Sequence, residues 1–229
     1  MIQRNVETKT LKNGLTFWYR NPSSDMAVYV ENGYYRYCTP NEKDVIMDVG
    51  ANIGDMPLKW GLLSKAIHSY EPMPDTFEIL KMNVEGNKLE HCKIYEAAVG
   101  HGEGEIEIWV NLEKNHTHAT ASTVAKRMRK SIKVPKMDFE SEIKRIKPTI
   151  LKIDIEGGER EILDNVSDSL FKSCHTFLLE IHPHMWKDGG DWLNAVTERF
   201  TKVFGKGENI GEVRFFHKLT GSVWKFTRE

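Results

Sequence analysis

The sequence predicts an α/β fold: a Rossmann-like, doubly wound parallel sheet with helices on both faces, preceded by a small β addition and closed by an antiparallel hairpin. Three observations carry this prediction. Val45–Pro74 reads as an apolar strand ending in an acid, a glycine turn, a helix, and a second strand ending in Glu71. Apolar strands then alternate with helical stretches as far as residue 200, the pattern of a parallel sheet with helical crossovers. Val213–His217 and Val223–Thr227, joined through Thr220-Gly221, supply the closing hairpin.

Each element has its own signal. Residues 1–44 carry two candidate short strands, Leu15–Arg20 and Met26–Val30. The alternating core proceeds as strand 45–50, helix 55–65, strand 66–71, helix 75–86 and strand 92–98. Glu103–Val110 alternates polar and apolar residues, as an inserted or edge strand does. Residues 111–135 form the least regular stretch and read as an insert. The core pattern resumes with strand 149–155, helix 158–166, strand 176–181 and helix 190–200. No internal repeat or low-complexity linker divides the 229 residues, so one domain is expected.

The turn after the first core strand carries the first functional signal. Gly50 and Gly54 permit a tight turn and the close approach of backbone to a ligand. Glu71 follows Gly50 by 21 residues, where a doubly wound sheet places the carboxylate that accepts both ribose hydroxyls. A nicotinamide fingerprint would read G-x-G-x-x-G, but Asn52 stands at the middle glycine and Asp48 precedes the turn. A carboxylate there opposes a pyrophosphate and suits a cationic, amino-acid-bearing ligand. S-adenosylmethionine fits: it has a sulfonium, an ammonium and no phosphate. Asp48, Gly50, Asn52, Gly54, Glu71 and Pro72 are therefore candidate cofactor residues. Five strand–helix units finished by a hairpin is also the layout of the class I SAM-dependent methyltransferase sheet.

Two later strands end in polar residues. In Ile150–Leu163, Leu151, Ile153 and Ile155 share one face while Lys152, Asp154 and Glu156 share the other. Lys, Asp and Glu are rarely buried unless paired or functional. Thr176–His184 repeats the arrangement with Glu180 and His182. Ligands in open α/β sheets bind at the carboxyl ends of strands, so Asp154, Glu180 and His182 are expected to meet at the edge that carries the glycine turn. Lys152 either joins that chemistry or pairs with Asp154 or Glu180. Two devices would activate an acceptor hydroxyl: His182 as a general base, or a magnesium or manganese ion held by Asp154, Glu180 and His182. Glu156 and Glu159 read either as site residues or as caps of the following helix. His116, His118, Ser122 and Trp109, in or beside the insert, and Met185 and Trp186 are weaker acceptor-site candidates.

Composition narrows the classes. A formal net charge of −1 gives no general attraction to nucleic acid or anionic membrane, and no apolar run approaches the ~20 residues of a membrane span. MIQRNVETK has no apolar core of a secretory signal. Cys38, Cys92 and Cys174 are odd in number and widely spaced, as expected of reduced thiols in a cytoplasmic protein.

DVGANIGD at 48–55, EPMP at 71–74, EAAVG at 96–100 and LKIDIEGGEREIL at 151–163 resemble the FkbM-type family of SAM-dependent O-methyltransferases. ENGYY at 31–35 resembles that family's E-x-G-x-Y segment. The resemblance runs from about residue 26 to 184, departing at Gly158 and in the insert. It adds Tyr34, Ala97 and Ala98 to the cofactor side, with Asp154 serving both sides. It implies methyl transfer to a hydroxyl, often of a sugar, with a small-molecule or glycan acceptor. Two other classes stay open: an RNA 2′-O-methyltransferase, for which AKRMRKSIK at 125–133 would be the basic surface, and an inactive SAM-binding module.

Overall fold

The computed structural model describes residues 5–31, 37–110, 121–122, 130–215 and 218–228. Strands β1 (Asn5–Thr10) and β2 (Thr16–Asn21) form an antiparallel hairpin, followed by helix α1 (Asp25–Glu31). The core then runs β3 (Val45–Val49), α2 (Asp55–Trp60), β4 (Ala66–Tyr70), α3 (Pro74–Glu85) and β5 (Cys92–Tyr95). Four strands and a helix come next: β6 (Ala98–Gly100), β7 (Gly104–Val110), β8 (Ala121–Ser122), β9 (Lys130–Asp138) and α4 (Phe139–Ile146). The chain finishes with β10 (Ile150–Ile153), α5 (Glu159–Leu163), β11 (Thr176–Ile181), α6 (Gly189–Phe204), β12 (Gly205–Phe215) and β13 (Lys218–Arg228).

Seven strands form the main sheet in the order β12-β13-β11-β10-β3-β4-β5. Pairings from β11 through β5 are parallel, and β13 joins β11 antiparallel with β12 outside it. The chain lays strands outward from β3 in one direction, then returns to place β10 on its other side. That reversal between β3 and β10 opens a crevice at the carboxyl ends of both strands, where ligands of such sheets bind. The strands are short and apolar because both faces are covered: Ile46, Met47 and Val49 of β3 and all four residues of β10 are buried. One face packs against Phe171, Phe177, Phe200, Phe204 and Phe226, with ring centroids 5.0–6.4 Å apart; the other packs against Ile53, Leu58, Ile79 and Leu80. No helix among the described residues is long and apolar enough to cross a membrane.

Three expectations change. Met26–Val30 is helical because Ser23 Oγ accepts the Asp25 N–H at 3.0 Å and Met26 and Tyr29, three apart, pack inward together. The strand expected over 92–98 is two, since the chain leaves the main sheet after Tyr95 and Ala98–Gly100 pairs with Lys136–Asp138. Gly104–Val110 is a strand as expected, but in a second sheet of order β6-β9-β7-β8. That sheet takes in Lys130–Pro135, the end of the expected insert. His116, His118, Tyr34 and residues 126–129 lie outside the described residues.

Candidate active site

The crevice between β3 and β10 is built around one close approach. Gly50 has φ +84°, and a Cβ on it would lie 1.8 Å from the carbonyl oxygen of Asp154. Only glycine lets the two strand ends touch. Lys152, buried beneath this contact, donates to the Gly50 carbonyl and sits 3.4 Å from Asp48 Oδ1 and 3.6 Å from Asp154 Oδ2. Burial works against its charge, but Asp48 and Asp154 outweigh that and hold Lys152 above its ordinary value. Asp48 has no exposed surface, and burial pushes it up to about 6 although Lys152 opposes the shift.

The turn continues through Asn52 at φ +48°, a conformation asparagine tolerates better than other side chains. Its backbone N–H donates to Glu71 Oε2 at 2.9 Å, and the Met73 N–H donates to Glu71 Oε1 at 2.9 Å. Glu71 thereby ties the ends of β3 and β4 together while lining the cleft. Burial raises it to about 7, opposed by those two backbone donors.

The cleft, counted with the open solvent at its mouth, takes up about 1100 Å³. Gly50, Asn52, Glu71, Pro72, Ala97, Ala98 and Asp154 all line it. Asp48, Gly54 and Lys152 do not. Asp48 was expected to face the ligand; it lies behind the turn, where its charge meets Lys152. Gly54 is set by packing, since a Cβ there would lie 2.7 Å from Leu80 Cδ1. Sequence reasoning missed Arg20, Ser24, Ile106, Ile108 and Glu161 in the wall. Arg20 is held by a bidentate pair with Asp25, at 2.9 and 2.8 Å, and Ile106 and Ile108 arrive from the second sheet. Arg20, Ser24, Ile106 and Ile108 have no local sequence signal, because distant segments bring them in, whereas Glu161 lies on the helix that follows the β10 loop.

At the β10 end, Asp154 and Glu156 line the cleft, with Glu156 at φ +51°. Glu159, fully buried, accepts from the N–H groups of Ile155 and Gly157 at 3.2 and 3.0 Å and fixes this loop. It also faces His182 Nδ1 at 3.0 Å. His182 Nε2 lies 3.3 Å from Glu180 Oε1 and 3.5 Å from Glu156 Oε2. One ligand-type atom each from Asp154, Glu180 and His182 falls within 4.8 Å of the others. The structure thus brings these three together beside the cleft. Burial opposes protonation of His182, but its bonds to Glu159 and Glu180 prevail and hold it well above an ordinary histidine. Burial, then Glu180, raises Asp154 well above the usual carboxylate range, with Lys152 and His182 opposing. Trp186 packs against Trp192 with ring centroids 5.0 Å apart and planes tilted by 56°, while His184 is exposed.

The methyltransferase FkbM domain model matches residues 48–218. The hexuronic acid methyltransferase AglP of Haloferax volcanii is 29% identical over 142 residues, 62% of this chain and 57% of AglP, so the chain spans little over half of that relative. Methyltransferase 1 of Beauveria bassiana is 22% identical over 81% of this chain and 84% of its own length. Among solved structures, an FkbM methyltransferase from Methylobacillus flagellatus superposes with a TM-score of 0.49 at 12% identity, covering 88% of this chain and 54% of that one. The matched span contains both strand-end loops and every sequence-predicted cleft residue except Tyr34. The chain belongs to the FkbM family of methyltransferases.

Proposed function

We propose that this chain is an S-adenosylmethionine-dependent O-methyltransferase acting on a hydroxyl of a sugar or glycan. The observation that carries the reading is one cleft with Glu71 on one wall and Asp154 and Glu156 on another, joined by the Gly50 turn. The residues fit the cofactor: a carboxylate for ribose hydroxyls, apolar Ala97, Ile106 and Ile108 for a purine, and acids for a cationic amino-acid end. Bound there, S-adenosylmethionine supplies an electrophilic methyl. An acceptor oxygen would form the new O–C bond as the C–S pair returned to sulfur, and an acid at the β10 end of the cleft would take the hydroxyl proton.

The protein's part is positioning, worth up to about 7–11 kcal/mol of the barrier for a well-aligned pair. Asp154, Glu180 and His182 are the residues proposed to meet the hydroxyl, either as proton acceptors or by holding magnesium or manganese. Asp154 is the first of these because it lines the cleft. Lys152 orients Asp154 and the Gly50 carbonyl, which makes it a positioning residue. Sugar specificity draws support from AglP, a hexuronic acid methyltransferase. The three cysteines are unpaired, in keeping with a cytoplasmic protein.

Calorimetry with S-adenosylmethionine and S-adenosylhomocysteine tests the cofactor, and release of S-adenosylhomocysteine across a sugar panel tests the reaction. Binding without turnover on any acceptor would support an inactive binding module instead. Absence of binding would overturn the reading.

A further inference from the structure

We propose that Asp154, Glu180 and His182 form a divalent-cation site that selects acceptors carrying two vicinal hydroxyls; this rests on the methyl-transfer reading above. The first argument is the orientation of His182. Glu159 can only accept, and it is pinned by two backbone N–H groups, so the Nδ1 it faces carries the ring hydrogen. Nε2 is therefore the atom turned to the cluster, with carboxylate oxygens of Glu180 and Glu156 at 3.3 and 3.5 Å. A bare imidazole lone pair facing two carboxylates is repulsive. A positive centre must lie among them, either a second proton on the ring or a metal ion.

A buried carboxylate on the far nitrogen is the arrangement that fixes the tautomer of metal-binding histidines. The second argument is charge. Asp154, Glu156 and Glu180 bring three carboxylates to one place, while Lys152 is shared with Asp48 and the Gly50 carbonyl. Oxygen-rich ligation with a single imidazole suits magnesium or manganese better than zinc.

The third argument is location. Asp154 and Glu156 line the cleft that Glu71 also lines, so the cluster meets the cleft through Asp154. Three protein ligands leave an octahedral ion room for two oxygens of one acceptor. Adjacent hydroxyls close a five-membered chelate, whereas an isolated hydroxyl supplies one contact. Methylation then forms one O–CH3 bond and breaks one C–S bond, and the hydroxyl proton passes to Glu156.

Titration of the EDTA-treated full chain with manganese, read by electron paramagnetic resonance, tests the site. Parallel S-adenosylhomocysteine calorimetry separates this proposal from the reading beneath it. One manganese ion per chain is expected. Glu180→Gln and His182→Ala should abolish that binding, and Glu159→Gln should weaken it about 10–100-fold. Glu180→Gln is isosteric and should still bind S-adenosylhomocysteine, which shows that it is folded. Cofactor binding without stoichiometric manganese at millimolar concentration would mean that a proton alone fills the cluster, and would overturn the site. Failure of both would overturn the methyl-transfer reading as well. With manganese bound, equal turnover of a vicinal diol and its monodeoxy analogue would overturn the acceptor class.

Discussion

The loops that leave β3 and β10 are built alike and used differently. Each puts a non-glycine residue in the left-handed region, Asn52 at φ +48° and Glu156 at φ +51°. Each is closed by a glutamate that accepts two backbone N–H groups. In the first loop that glutamate, Glu71, comes from the neighbouring strand and reaches the cleft. In the second, Glu159 comes from the loop's own helix, has no exposed surface, and spends its remaining capacity on His182. The same backbone device thus gives one turn whose clamp can read a ligand. It gives another whose clamp is hidden, leaving Asp154 and Glu156 to face the cleft.

The largest effect should come from the point where the loops touch. Gly50→Ala forces a Cβ into the Asp154 carbonyl at positive φ, and should cost about 3–5 kcal/mol in urea unfolding. Next is the hidden clamp. Glu159→Ala leaves the Ile155 and Gly157 N–H groups and His182 without their acceptor, and should cost about 2–4 kcal/mol. Glu71→Ala should show its main effect in calorimetry, weakening S-adenosylmethionine about 10–100-fold through loss of a charged acceptor. A larger stability loss at Glu71 than at Glu159 would break the distinction between reading and holding.

The same carboxylate predicts a pH effect. Glu71 sits near 7, so it is ionised above that and protonated below, and only the ionised form accepts from two hydroxyls. Cofactor affinity should fall about tenfold from pH 8 to pH 6, and Glu71→Gln should flatten the profile. The smallest effect separates the two left-handed residues. Glu156→Gly should gain about 0.5 kcal/mol by relieving strain, whereas Asn52→Gly should be near zero because asparagine already tolerates that geometry.

Local signals explain what was legible. Thr176–Ile181 carries the apolar run Phe177–Leu179 and appears as a strand with the expected ends. The Gly50 turn and Glu71 follow from spacing, because consecutive strands of this fold are neighbours. Asp48 was harder. Its role depends on Lys152, which β3–β10 pairing places beside it, so the sequence shows an acid near a turn and hides the buried cation that neutralises it. α1 was misread because five residues, MAVYV, suit strand and helix patterns alike. The second sheet escaped because β6 and β9 pair across a long separation in the chain.

Arg20 and Ser24 give the cleft a wall that precedes the span matched by the family model, which begins at Asp48. The bidentate pair with Asp25 and a bond from Arg20 to the Asp75 carbonyl dock this part onto the start of α3. Shared ancestry and ligand enclosure therefore draw different borders on one chain. A fragment cut to the matched residues would inherit the sheet, both loops and the acid cluster, yet present its cleft with one side open to water. Grafting the catalytic core onto another scaffold means carrying the leading hairpin and α1 with it.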